Sequence, residues 1–517
     1  MPESTADTTD AATTGGASNA KAGARGPVTP AWEAPPGASA PMTWAPEGHE
    51  PISLTATADW TVLRREESPA AEVFAVSYLA TDAAPDRPVT FVFNGGPGAS
   101  SAYLHVGAIG PRRVVLPDDG STARMPVRLV DNDASWIADT DLVFIDPVGT
   151  GFSRPIPAEP DAGKDAPTYW SYDRDLAAMR EFISRWLSRN GRWSAPVFIA
   201  GESYGGYRVG RLAWSLPKDE GVGLAGAVLI SPALEITPLT FTDYATDPYV
   251  DTVPTMAAGA FHHGRCRAPE AADGADAVAA AAAAFATTDY ATFLMRGAAV
   301  PAEERDAVLS RLADLIGLAP AVVEHLQGRI RIDRWVREIL RDRGEVAGLY
   351  DVTQTVVDPF PDRVSFEGGD HTLAGSTAAF TMAINHLLRA EIGVETDRQY
   401  AVLSYEVNKK WATDEGHHAL DAPPGSVDDL RRGLTLNPHL EVLVVHGRHD
   451  LVTPLDSSRR MIDLMRLAPA TGDRVRVRAY EGGHMFYTLS DSRDAFTADV
   501  REFFAACLPA GADDQDH

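Results

Sequence analysis

The chain has 517 residues but only two cysteines, Cys266 and Cys507. Two thiols cannot build a disulfide framework, so a cytosolic or otherwise thiol-tolerant compartment is expected. Basic residues are scarce as well: 46 Lys and Arg stand against 72 Asp and Glu, a net charge of -26. That balance argues against a phosphate-binding face for nucleic acid and against polybasic contact with a membrane. No run of about eighteen apolar residues occurs, so no spanning helix is expected. The N-terminus has no basic segment leading into an apolar one, so it does not read as a secretory leader, and a cytoplasmic location is the expectation. None of the 14 histidines stands in an H-E-x-x-H pattern, and neither metal nor cofactor is expected. No sequence signal bears on oligomeric state.

What the chain does have is a series of short apolar runs, each ending in a polar or glycine-rich turn. They are "VTFVFNGGPG", "DLVFIDPVGTG", "VFIAGESYGG", "AGAVLISPA" and "EVLVVHGRHD". Continuous β-branched and aromatic runs, rather than alternation, mark strands buried on both faces of a parallel sheet. Helical periodicity lies between them. In "SYDRDLAAMREFISRWLSRNG" the residues Leu176, Met179, Phe182, Ile183, Trp186 and Leu187 share one face, and Gly191 offers a stop. Strand, helix, strand predicts right-handed crossovers and a doubly wound α/β core. The segment "ISLTATADWTVLRREESPAAEVFAVSYLAT" reads as antiparallel strands ahead of that core. The expected organisation is a disordered tail over 1–45 and a first core segment over 46–237. A mostly helical cap follows over 238–432, then a second core segment over 433–508 and a short acidic tail over 509–517.

One turn raises a chemical question. In "VFIAGESYGGYRVG" an apolar strand runs into Ser203, with Gly201 before it and Gly205 and Gly206 after it. G-x-S-x-G at a strand-to-helix turn is the form of a nucleophile elbow, although glycine is also the default residue of any such turn. A serine nucleophile needs a base, an acid to orient the base, and donors for the oxyanion. Asp450 follows the strand "EVLVVHG", and His484 follows "VRVRAYEGG". The order Ser203, Asp450, His484 along the chain is that of α/β hydrolases. His446 and His449 compete for the base role but lie beside the acid. The loop Asn94-Gly95-Gly96-Pro97-Gly98 lets backbone approach a substrate closely, and the N–H of Tyr204 offers a second oxyanion donor. "PVGTGFS" lacks the residues of a phosphate loop.

Taken in order, "NGGPGASS", "DPVGTGFS", "GESYGG", "HGRHDLVTP" and "GGHM" resemble the serine carboxypeptidases of peptidase family S10. That resemblance implies an α/β-hydrolase fold, a helical cap and removal of C-terminal residues from peptides. It implies Ser203, Asp450 and His484 as the triad, with Gly96 and Tyr204 as the oxyanion N–H donors. Asn94, Gly95 and Glu202 fall where the family binds substrate. Three positions depart from the family pattern. Val92 replaces a Trp, Ala99 replaces a disulfide Cys, and Ala108 replaces a Glu that pairs with the residue matching Glu202. Without that partner, Glu202 is expected to ionise more readily. An esterase or acyltransferase using the same triad, or a non-catalytic binding protein, is the alternative reading.

Overall fold

A computed structural model describes residues 32, 34–65, 68–118, 120–156, 169–363, 369–412 and 425–508. Its centre is a ten-stranded sheet. Ala38–Trp44, Ile52–Arg65 and Ser68–Ala80 pair antiparallel, and Ser68–Ala80 joins Asp141–Ile145 antiparallel. From there the sheet is parallel, running Asp141–Ile145, Val89–Phe93, Val197–Glu202, Gly226–Ile230, Glu441–Gly447 and Val475–Tyr480. The two-residue strand Arg154–Pro155 pairs with Ser68–Ala80.

The unbroken apolar runs follow from burial on both sides. Phe198, Ala200, Val228, Ile230, Leu443 and Val445 enter one apolar cluster. Their neighbours Val197, Ile199, Ala227, Leu229, Val442 and Val444 enter the other. Alternate residues of a strand point to opposite faces, so a strand covered on both sides must be apolar throughout. The helix Tyr172–Asn190 buries all six residues of its periodic face and ends at Gly191, with φ 65°. The parallel register brings Phe93 beside Gly201, Ile230 beside Glu202, and Gly447 beside Tyr480. The turns after these strands therefore meet along one rim, where ligands of such sheets bind.

Two boundaries differ from the sequence reading. Residues 38–44, expected within a disordered tail, form an edge strand held by Met42 and Trp44; the Trp44 indole donates to the Asn132 carbonyl at 2.7 Å. Its Ala, Ser, Pro and Thr content hides two anchoring side chains. Residues 1–31 and the expected acidic tail lie outside the described residues. The stretch expected as one helical cap also divides. Helices from Asp247 to Glu338 surround an apolar cluster of their own that includes Met256, Leu312 and Trp335. The helix His371–His386 instead sends Phe380 and Ile384 into the core beneath the sheet. Helical periodicity is the same whichever core a helix packs on, so sequence does not separate them. Ala275–Ala299 reaches the length and mean hydropathy (1.3) of a spanning helix. It spends its apolar face, Val278, Ala282, Phe285 and Tyr290, on the cap's cluster.

Candidate active site

The strand Val197–Glu202 hands the chain to the helix Tyr204–Ser215 through a single residue, Ser203, at φ 61° and ψ −124°. A non-glycine residue at positive φ is strained by about 1–3 kcal/mol. The elbow's packing holds it there. The Ser203 N–H donates to the Ile230 carbonyl at 2.9 Å, and its carbonyl accepts from Gly206 at 2.8 Å and Ala233 at 3.0 Å. A Cβ on Gly206 would lie 2.2 Å from the Cβ of Pro232, and one on Gly201 would lie 2.3 Å from the Gly205 carbonyl oxygen. These glycines are spacing requirements, and the half-buried serine crests the turn. Its hydroxyl makes no hydrogen bond among the described residues.

The Asn94–Gly98 loop lies directly on this elbow. A Cβ on Gly95 would stand 2.4 Å from the Tyr204 nitrogen. The N–H groups of Gly96 and Tyr204 have no acceptor among the described residues, which is the state an oxyanion hole needs before substrate arrives. Two buried devices hold the loop. Arg208 pairs with Asp175 through two bonds, at 2.7 and 3.1 Å, and turns its third nitrogen to the Asn94 carbonyl. Asp146, the first residue of "DPVGTGFS", accepts from the Ser101 N–H at 2.9 Å, the Ser101 hydroxyl at 2.8 Å and the Tyr400 hydroxyl at 3.0 Å. Burial pushes its carboxyl up to about 6 despite those donors.

Acid and base meet as the sequence proposed. His484 Nδ1 lies 2.7 Å from Asp450 Oδ2, with both side chains buried. The other Asp450 oxygen accepts from the N–H groups of Val452 at 2.8 Å and Thr453 at 3.1 Å, and the Thr453 hydroxyl donates to Oδ2 at 2.7 Å. Burial works against protonation of His484, but Asp450, with help from Glu202, outweighs it and raises the imidazole above its ordinary range. The competing histidines are occupied elsewhere. His446 bonds the Ser458 hydroxyl at 2.9 Å and is pulled down to about 4 by burial, and His449 faces Glu481 at 3.2 Å.

An inserted segment grips both loops. The Tyr350 carbonyl accepts from the His484 N–H at 2.5 Å, and the Leu349 carbonyl accepts from the Leu451 N–H at 3.1 Å. The Val352 N–H donates to His449, and the Asp351 carboxylate accepts from Gly483 at 3.0 Å. Gly483 is required by this crossing, because a Cβ there would stand 1.9 Å from the Tyr350 oxygen. The Tyr350 ring meets the His484 imidazole edge-on at 5.1 Å.

At position 108 the Ala108 carbonyl accepts from Asn132 at 2.7 Å, and no carboxyl stands there. Glu202 is nonetheless reluctant to ionise. Burial pushes it up to about 7. Glu202 Oε2 accepts from Asn94 Nδ2 and from the Tyr487 hydroxyl, the latter at 2.9 Å. Oε1 lies 4.0 Å from His484 Nε2. Asn94 is fixed in turn by the Leu104 N–H, which donates to its Oδ1 at 3.1 Å. Thr453, Asp146 and Tyr487 were not found by sequence reasoning. Thr453 stands three residues beyond Asp450 and Tyr487 three beyond His484, which is the one local signal they carry.

Comparison with known proteins places this geometry in context. Residues 46–234 match the family model of the serine carboxypeptidases. Serine carboxypeptidase-like 33 of Arabidopsis thaliana is 30% identical over 165 residues, 28% of this chain and 30% of that protein. The pheromone-processing carboxypeptidase KEX1 of Saccharomyces cerevisiae is 35% identical over 127 residues, 23% of this chain and 16% of its own. The alignments thus span 30% or less of these relatives' lengths. The crystal structure of the S. cerevisiae prohormone-processing carboxypeptidase superposes with a TM-score of 0.53 at 15% identity, over 90% of this chain and 93% of that one. The likeness is one of fold, and the fold is that of the α/β hydrolases.

Proposed function

From the match of residues 46–234 to the serine carboxypeptidase family model, we propose that the protein is a serine-type hydrolase of that family that removes C-terminal residues from peptides. One observation carries the reading. A half-buried serine on a strained elbow shares a rim with a buried Asp450–His484 pair at 2.7 Å, and a buried Glu202 lies beside that imidazole.

In this reading Ser203 Oγ attacks the scissile carbonyl while His484 Nε2 takes its proton, and Asp450 stabilises the imidazolium. The N–H groups of Gly96 and Tyr204 receive the oxyanion. His484 returns the proton to the leaving amine, then deprotonates the water that releases the acyl group from Ser203. Asn94, Gly95 and Glu202 face the substrate's terminal carboxylate. Cys266 and Cys507 as free thiols, with Ala99 where relatives carry a disulfide Cys, support a thiol-tolerant, cytoplasmic setting.

The test pairs a fluorophosphonate probe with N-blocked dipeptides offered as acid, amide and ester. Wild type should label at Ser203 and turn over the free acid. Ser203→Ala should not label and should lose about 10⁴-fold or more in kcat while staying folded. Near-wild-type turnover by that variant would refute the assignment. Turnover of esters without free-acid peptides would make the protein an esterase on the same triad.

A further inference from the structure

Glu202 is buried, and its two oxygens differ. Oε2 accepts from two donors, Asn94 Nδ2 and the Tyr487 hydroxyl. Among the described residues Oε1 has no such donor; its polar neighbour is His484 Nε2 at 4.0 Å. A carboxyl whose one oxygen is taken by two donors carries its proton on the other. Protonated Glu202 therefore presents an O–H from Oε1 on the side of the His484 imidazole. Ionised Glu202 presents negative charge from the same atom.

We propose that Tyr487 is a positioning residue: with Asn94 it pins Oε2 of Glu202, leaves Oε1 to meet the substrate's terminal carboxylate, and thereby sets how far up in pH a free-acid peptide is accepted. The proposal rests on the carboxypeptidase reading for its substrate and on hydrogen-bond geometry for the role of Tyr487. Tyr487 is itself held in place. Its ring is buried, it packs on Phe486 with centroids 5.8 Å apart, and a Cβ on Gly107 would touch it at 3.3 Å. Around Glu202 the titratable groups are His484, Tyr487, Asp450 and Tyr103. Arg208, beneath Asn94, is already neutralised by Asp175. Tyr487 alone among them donates to the carboxylate.

A donor to the anion favours ionisation. Tyr487→Phe removes that donor and keeps the ring, so Glu202 should hold its proton to higher pH. For a free-acid dipeptide, KM should rise with pH in the wild type as Glu202 ionises and repels the substrate. In Tyr487→Phe that rise should begin about one pH unit higher, the shift corresponding to one hydrogen bond to a charged acceptor. KM for the matching amide should not follow that rise. A merely structural role would damage acid and amide alike.

The second measurement does not need turnover. The infrared carbonyl band of protonated Glu202, assigned by its absence in Glu202→Gln, is titrated in wild type and Tyr487→Phe. A rise of the midpoint in the variant supports the pinning. If the acid profile is pH-dependent in the wild type but Tyr487→Phe moves neither profile nor band, the carboxypeptidase reading survives and the role of Tyr487 is refuted. If the band moves while acid and amide profiles run parallel in both proteins, the carboxypeptidase reading has failed, and the substrate half of the proposal with it.

Discussion

His484 sits between two carboxyl groups that do different work. Asp450 touches Nδ1 at 2.7 Å and fixes the ring, whereas Glu202 faces Nε2 across 4.0 Å and acts through its charge. Burial holds Glu202 up to about 7 and Asp450 raises His484 above its ordinary range, so the charge on Glu202 bears on the protonation of His484 and the two act as a coupled pair. An ionised Glu202 favours the imidazolium. Glu202→Gln should therefore lower the His484 pKa and move the acid limb of kcat/KM to lower pH, by about half a unit or more. The measurement uses an amide or ester, so that recognition of a terminal carboxylate does not enter. An acid limb at the wild-type pH would show that the two groups are not coupled. At this scale the Asp450–His484 pair and the Ser203 elbow were legible because each residue follows an apolar strand and the chain order is restrictive. Tyr487 was not, since nothing in "GGHMFY" says that the third residue after the histidine folds back onto Glu202. Only the turn Phe486–Thr488 brings it there.

The elbow and the Asn94–Gly98 loop are two elements in van der Waals contact through glycine. Gly95 has no positive φ, so alanine at this position is acceptable to the backbone. The obstacle is the Tyr204 nitrogen, 2.4 Å from where the Cβ would stand. Gly95→Ala should push the loop off the elbow and misplace the Gly96 and Tyr204 donors together. The expected result is a loss of about 10²–10³-fold in kcat, the effect of losing an oxyanion donor, with KM changed far less. An active Gly95→Ala enzyme of normal kcat would remove this loop from the oxyanion hole. The strand-ending turns could be read from sequence because continuous apolar runs report burial on both faces. The limits of the cap could not. Phe380 and Ile384 belong to the main core and Trp335 to the cap's, yet all three sit on ordinary amphipathic helices.

Across the whole molecule, stability depends on the core and not on covalent staples. Both thiols are free. Burial pushes Cys507 up to about 12 and raises Cys266, so both stay protonated and weakly nucleophilic near neutral pH. Activity and melting temperature should be unchanged by strong thiol reductant. A mass increase of two hydrogen atoms on reduction, with loss of activity, would show that a bridge matters. The fastening of the active site has a different origin, and it constrains how such a chain can vary. Leu349–Val352 is laid down about a hundred residues before Asp450, yet its backbone grips the turns that carry both Asp450 and His484. The inserted region is consequently not a detachable lid over a self-sufficient hydrolase. Its Leu349–Val352 segment is part of the frame on which acid and base are mounted. Exchange of the whole insertion would carry that frame away, whereas exchange confined to the helices from Asp247 to Glu338 would leave it standing.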